Sequence, residues 1–268
     1  MTFHFLDAMS QWLIAVVFLV LMLATTELGF RLGCVNKRKT CETTKSEISV
    51  LQGGIIGVLG LLLGFTLAMA VSRFEERKQL VVEESNAIGT SFLRAQFVPD
   101  PEGKEISSRL RDYLDTRLQY SSVSKELDER QKAARVRAAQ LQDELWSRAA
   151  AFAQQDPRSV TAGLLLTSLN TVIDVEAARS ASTMNHVPET IILVVALVAL
   201  LSAVLVGYLF GLGAQRHLLS TATLAAAITA VLFVIVDLDR PDRGLIRINQ
   251  QPLIDVQARL HGAMSKTP

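Results

Sequence analysis

The side chains best placed to do chemistry are carboxylates and arginines in four short clusters. The run VIVDLDRPDRG puts Asp237, Asp239 and Asp242 within six residues, with Arg240 and Arg243 among them. Oxygen ligands this close could hold a hard cation. They could equally pair with the neighbouring arginines at a helix exit that Pro241 stops. Glu27 lies near the end of an apolar run with Arg31 one turn later; an ionisable group inside a membrane helix is a functional candidate, and an i, i+4 pair near a loop is an interfacial ion pair. Glu83, Glu84 and Asn86 precede Arg94, and Asn170, Asp174, Glu176 and Arg179 form a second polar stretch. Folded back as an antiparallel bundle, these two stretches come together and either line a polar vestibule or bond one another, since buried charges need partners.

Other chemistry has little support. The four histidines, His4, His186, His217 and His261, stand at no metal-ligand spacing. No glycine-rich loop joins a strand to a helix, and no Ser or Cys has a nucleophile context. The expectation is a protein that is not an enzyme, with no cofactor and no metal. A net charge of +1 gives no field to recruit nucleic acid. Cys34 and Cys41 share one loop; two cysteines do not make a disulfide scaffold, and a loop disulfide requires an oxidising compartment.

The elements that must position these groups are set by four long apolar runs, about Trp12–Leu32, Val50–Val71, Thr190–Leu212 and Leu218–Val236. Each has the roughly 20 residues that a bilayer crossing needs. The segment before the first has no Lys or Arg and the run is too long for a cleaved leader. The fold class expected is an all-α integral membrane protein, its four transmembrane helices arranged as two hairpins around a helical extramembrane domain. The corresponding boundaries are 1–72 for the first hairpin, 73–188 for the inserted domain, 189–237 for the second hairpin and 238–268 for a C-terminal tail.

The insert reads as helical throughout. Its first helix is the continuation of the second span to about Phe97, where VPDPEG stops it. A second begins near Lys104 with Ile106, Leu110, Tyr113, Leu114 and Leu118 on one face, and a third runs from about Lys125 to Gln155. Asp156 and Pro157 are expected to cap and start a fourth, ending near His186. Residues 50 to 97 as one helix would be about 70 Å long. The second span carries Gly53 and Gly57, then Gly60 and Gly64, then Ala68 and Ser72, each pair four residues apart. Such spacing lets helix backbones approach, either within the chain or between copies. Nothing ionisable occurs between Glu47 and Arg73. A pore lined by this helix would have an apolar throat able to gate by dewetting, with Leu61 and Phe65 one turn apart on it. Arg73 and Phe74 read as an interfacial pair, a cation that can snorkel beside an aromatic at headgroup level.

The stretch LLLGFTLAMAVSRF, with Leu63-Gly64-Phe65 followed by Arg73-Phe74, resembles the second transmembrane helix of bestrophin anion channels. The whole chain is similar to a bacterial group of bestrophin-like membrane proteins, which carry LGLLLGFTLAMA, RFE and NAIGT stretches and a closing LDRP–G motif, here Leu238-Asp239-Arg240-Pro241 with Gly244. The resemblance implies a homo-oligomer, pentameric in bestrophins, in a bacterial inner membrane, with the second span lining an axial pore for a permeant anion. It places Phe65, Leu61 and Gly57 at the neck positions. Bestrophins carry an aromatic where Leu61 stands and a large aliphatic where Gly57 stands, so the neck here is wider or differently built. The calcium-binding acidic cluster of animal bestrophins has no match. The recurring LDRP motif suggests that Asp237, Asp239, Arg240, Pro241 and Asp242 form a structural clasp to the insert.

Orientation rests on two opposed counts. Lys37-Arg38-Lys39 in the first short loop favours that loop in the cytoplasm. The bestrophin layout, supported by Arg73, Arg77, Lys78, Arg240, Arg243 and Arg247, puts the insert and both termini there instead, and is the expectation adopted. The alternative to a channel is a non-conducting membrane scaffold or sensor whose insert binds a protein partner.

Overall fold

The computed structural model describes residues 10–38, 40–121, 128–240 and 244–264. Eight helices and no strand occur among the described residues: α1 (Gln11–Asn36), α2 (Glu42–Ala95), α3 (Glu102–Ser121), α4 (Asp128–Gln155), α5 (Val160–Met184), α6 (Glu189–Gly213), α7 (Leu218–Asp239) and α8 (Gln251–Met264). The protein is an all-α integral membrane protein in architecture. Four stretches are long and apolar enough to cross a bilayer: α1, α2, the stretch containing α6, and α7. α2 is 54 residues long without interruption, as its lack of Pro predicts.

The chain divides into two compact units. The first comprises residues up to Phe74 together with His186–Arg247; the second comprises Glu75–Asn185 and Ile248 onward. α2 therefore contributes to both.

In the first unit, α1 and α6 run in the same direction at backbone contact. Gly29 and Gly33 face the α6 backbone at Val204, Tyr208 and Gly211, and Gly207 and Gly211 face the α1 backbone at Thr26, Phe30 and Cys34. A methyl group at any of the four would overlap a carbonyl oxygen of the other helix. In lipid no hydrophobic drive holds helices together, so contact of this closeness supplies the attraction. Around it Met22, Leu59, Leu63, Ala70, Val195, Ala199, Ile228, Leu232 and Ile235 form the buried apolar layer.

The second unit is an antiparallel helical body with a leucine-rich core, including Ile88, Phe92, Ile106, Leu110, Tyr113, Leu114, Leu141, Leu145, Leu165 and Leu169. α8 completes it through Leu253, Val256 and Leu260, all buried. Ser85 donates to the Pro252 carbonyl (3.0 Å), Gln257 donates to Asp115 (2.6 Å), and Val256 lies against Gly89. The sequence analysis treats this region as a tail, because a fourteen-residue helix with only a short apolar stripe makes a weak signal.

Two helix starts differ from expectation. Asp156 does not cap α5: its carboxylate accepts from the Arg158 amide (3.0 Å), closing a separate turn. Ser159 then caps the helix, its hydroxyl accepting from the Ala162 amide (3.3 Å). α3 begins at Glu102 rather than near Lys104. The expected start of α4 near Lys125 lies outside the described residues.

Candidate pore face and charge clusters

α2 has two faces in its membrane half. Leu59, Leu63, Thr66 and Ala70 are buried, and recur at helical spacing on the face toward the first unit's core. The opposite side carries Gly53, Gly57, Gly60, Gly64 and Ala68. A Cβ added at any of those four glycines would meet nothing within 4 Å. Leu61 is 58% exposed and Phe65 is 64% exposed, one turn apart on the same side. The glycine ladder that the sequence singles out is thus open in the single chain. The ladder that is packed, Gly29, Gly33, Gly207 and Gly211, has the same spacing and was not singled out. The face has no charge, so it can offer an ion only an apolar constriction or offer another helix a smooth surface. Phe74 packs on the apolar layer of the first unit, and Arg73 beside it is half-buried.

Glu84 is the hub of the second unit. It lies on the same apolar stripe of α2 as Val81, Ile88, Phe92 and Ala95, and it is fully buried. Arg117 grips both its oxygens, at 2.6 Å from Nε and 3.4 Å from Nη2, and Arg179 donates to it as well. Arg117 also reaches Glu176 (3.2 Å), and Arg179 donates to Gln250 (2.8 Å) just before α8. Burial alone would raise the Glu84 carboxyl; the charges of Arg117 and Arg179 outweigh it and hold the carboxyl below the usual range. Arg117 is held still more firmly as a cation, burial being outweighed by Glu84. Tyr113, buried beside them, is pushed well up by burial and by the Glu84 charge. Of the residues named from sequence, Glu84 and Arg179 come together. Glu83, Asn86, Asn170 and Asp174 stay exposed, Glu83 accepting from Gln79 and Asn170 donating to Asp174. Arg117 was missed, although its place on the stripe of Ile106, Leu110, Tyr113 and Leu114 is a signal: a charge at a core position implies a buried partner.

One turn after Arg73, Arg77 is buried and donates to the Ser182 and Asn185 carbonyls (3.1 and 3.0 Å). It thereby satisfies C-terminal carbonyls of α5 that lack a partner further along the helix.

The C-terminal aspartates of α7 accept backbone amides. Asp237 is buried and accepts from the amides of Leu245 and Ile246, both at 2.9 Å. Gly244 abuts the same carboxylate so closely that a Cβ would overlap it, which explains the glycine after LDRP. Asp239 is buried and accepts from the Val187 amide (2.8 Å), with the His186 ring 3.4 Å from its carboxylate. Arg240 pairs with Glu189 at the start of α6 (3.4 Å). Pro241 and Asp242 lie outside the described residues. Glu27 pairs with Arg31 (3.0 Å) and with Arg216 (3.2 Å), and Arg216 stacks over Phe30 at 4.6 Å. Among the described residues no three metal-ligating side chains converge.

With this geometry in hand, the family follows from a match to the bestrophin-like domain across residues 12–253. The chain belongs to the bestrophin-like family. The bestrophin-like fold is shared with solved bacterial structures. A bestrophin homologue from Klebsiella pneumoniae, solved as a point variant, superposes with a TM-score of 0.71 at 13% identity, over 94% of this chain and 99% of that one. The same organism's homologue solved by zinc phasing gives 0.69 at 14%, again over 94% and 99%. A structure described only as a membrane protein variant gives 0.69 at 14% over the same shares. No functionally curated protein matches the chain.

Proposed function

We propose that this bestrophin-like protein assembles with copies of itself, as a pentamer, into an anion channel whose axis is lined by α2. The observation that carries the reading is the open side of α2. Gly53, Gly57, Gly60 and Gly64 have no neighbour in the single chain, beside an exposed Leu61 and Phe65. A glycine face gives lipid tails little to pack on, whereas it suits a helix that meets its own copies around an axis. In that arrangement Gly57, Leu61 and Phe65 form an apolar neck that conducts only when wetted. Glu83, Asn86, Asn170 and Asp174, all exposed, supply a polar vestibule beyond it. Anion preference rests on the family resemblance and on the absence of any acidic residue along the α2 span. The proposal has the chain in a bacterial inner membrane with the insert and termini on the cytoplasmic side, a reading that the same resemblance supports.

The test is planar-bilayer recording of the purified protein in asymmetric chloride, with Phe65→Ala and Leu61→Ala alongside. Unitary currents that reverse near the chloride potential and change with either substitution support the neck. Silence from an assembled, folded oligomer in all three would move the reading to a non-conducting scaffold. The second reading has its own observation: Phe97 and Val160, each 75% exposed, give the insert apolar surface that suits a protein partner.

A further inference from the structure

The end of the membrane unit where α1 finishes and α6 turns into α7 carries charge that the channel reading does not use. Two guanidinium groups from different elements share one carboxylate oxygen there. Arg31 Nε donates to Glu27 Oε1 at 3.0 Å, and Arg216 Nη2 donates to the same atom at 3.2 Å. One negative charge thus answers two positive ones. Both arginine side chains are more than half exposed, and their other N–H groups have no hydrogen-bond partner among the described residues. From residue 27 to 47 and in the α6–α7 turn, six Lys and Arg stand against three Glu, so the positive surplus extends around the pair.

The pair is held in place from both sides. Gly29 and Gly33 flank Arg31 and rest on the α6 backbone at Val204, Tyr208 and Gly211. The α6–α7 turn is closed by Ala214, which takes a left-handed conformation (φ 52°) and donates to the Gly211 carbonyl at 3.0 Å. Arg216, two residues on, lies over the Phe30 ring at 4.6 Å, and the next residue, His217, packs its ring against Phe210 at 4.9 Å. An anion arriving here meets donors whose directions are already set, which lowers the ordering cost of binding.

Depth and surroundings identify the anion. Trp12 and Arg31 are nineteen residues apart on α1, about 28 Å along the axis, which is close to the thickness of a bilayer's hydrocarbon core. With Trp12 at one interface, where tryptophans concentrate, Arg31 falls at headgroup level of the other. Leu28 and Leu32 beside Arg31, and Leu218 and Leu219 just after Arg216, are all exposed. We propose that Arg31 and Arg216 bind the phosphate of an acidic phospholipid whose acyl chains cover these leucines. Guanidinium forks match phosphate oxygens, and the net negative charge of the headgroup answers the positive surplus. Free phosphate supplies the charge but leaves the leucines uncovered. A zwitterionic lipid covers the leucines but brings its own cation. The site stands whether or not the protein conducts.

The experiment is native mass spectrometry of the full-length protein in detergent, titrated separately with phosphatidylglycerol, phosphatidylcholine and inorganic phosphate. Wild type should retain phosphatidylglycerol in preference to phosphatidylcholine, and equimolar inorganic phosphate should not displace it. Arg31→Gln with Arg216→Gln should weaken phosphatidylglycerol by about tenfold or more and leave phosphatidylcholine unchanged. Glu27→Gln, which removes the competing carboxylate and keeps both arginines, should bind phosphatidylglycerol at least as tightly as wild type. Equal retention of the two lipids, or undiminished phosphatidylglycerol binding in the double variant, would overturn the proposal. Displacement by inorganic phosphate would assign the site to a free anion and overturn it too. So would loss in Glu27→Gln as large as in the double variant, which would mark the cluster as a structural ion pair. Dissociation of the assembly in the double variant, with lipid binding intact, would assign the arginines to a neighbouring copy instead.

Discussion

The two units of this chain hold their helices together by opposite means. In the membrane unit, α1 and α6 meet through four glycines and backbone contact, with hardly a polar side chain between them. In the extramembrane unit, broad leucine packing surrounds a buried carboxylate held by two arginines. The solvent explains the difference. Water drives leucines together and leaves enough surplus to bury Glu84 with its partners. Lipid gives no such drive, so closeness of approach replaces it. α2 runs through both units and obeys the rule in only one. Its extramembrane half is packed and charged as expected, but its membrane half shows glycines that touch nothing. That exception is what points to other copies of the chain.

The comparison can be tested from its strongest element downward. Glu84→Ala leaves Arg117 and Arg179 buried without their anion, and should cost about 3–5 kcal/mol of stability, read by denaturation of the solubilised protein. Acid should produce the same loss by degrees. The Glu84 carboxyl is lowered in the folded state, so its contribution is full above the unfolded value near 4.3 and disappears as pH falls through the lower folded value. A stability curve flat through that window would contradict the hub. Gly207→Ala drives a methyl into the Thr26 carbonyl and should destabilise by about 1–3 kcal/mol, with α1 and α6 forced apart. In the detergent-dissociated single chain, Gly60→Ala should do no harm, or stabilise by about 0.5–1 kcal/mol, because there the added methyl meets nothing and the helix loses a flexible residue. Equal damage from Gly60→Ala and Gly207→Ala in thermal unfolding would erase the distinction between the two ladders.

Much of this was legible in the sequence because the signals are additive over many residues. Span length and apolar content fix the four crossings, and 3.6-residue spacing fixes α3 to α5. What was hidden depends on partners far along the chain. Gly29 and Gly33 have the same four-residue spacing as Gly53 and Gly57, and spacing alone cannot say which pair meets a backbone. Asp237 and Asp239 read as a cation cluster or as partners for arginine; among the described residues Asp237 accepts the amides of Leu245 and Ile246, and Asp239 accepts that of Val187, partners that spacing does not reveal. Glu84 was visible as polar and Arg179 as a neighbour, but Arg117 had to be noticed as a charge on an apolar stripe.

The central claim is that the open face of α2 meets water along an axis rather than lipid. In a Cys34→Ser, Cys41→Ser background, single cysteines at Leu61→Cys and Phe65→Cys would be compared with Val20→Cys on the exposed side of α1. The readout is the rate of modification by a charged, membrane-impermeant thiol reagent in reconstituted vesicles. The account predicts modification at 61 and 65 and none at 20. Cysteines at 61 and 65 that stay as unreactive as the one at 20 would contradict it.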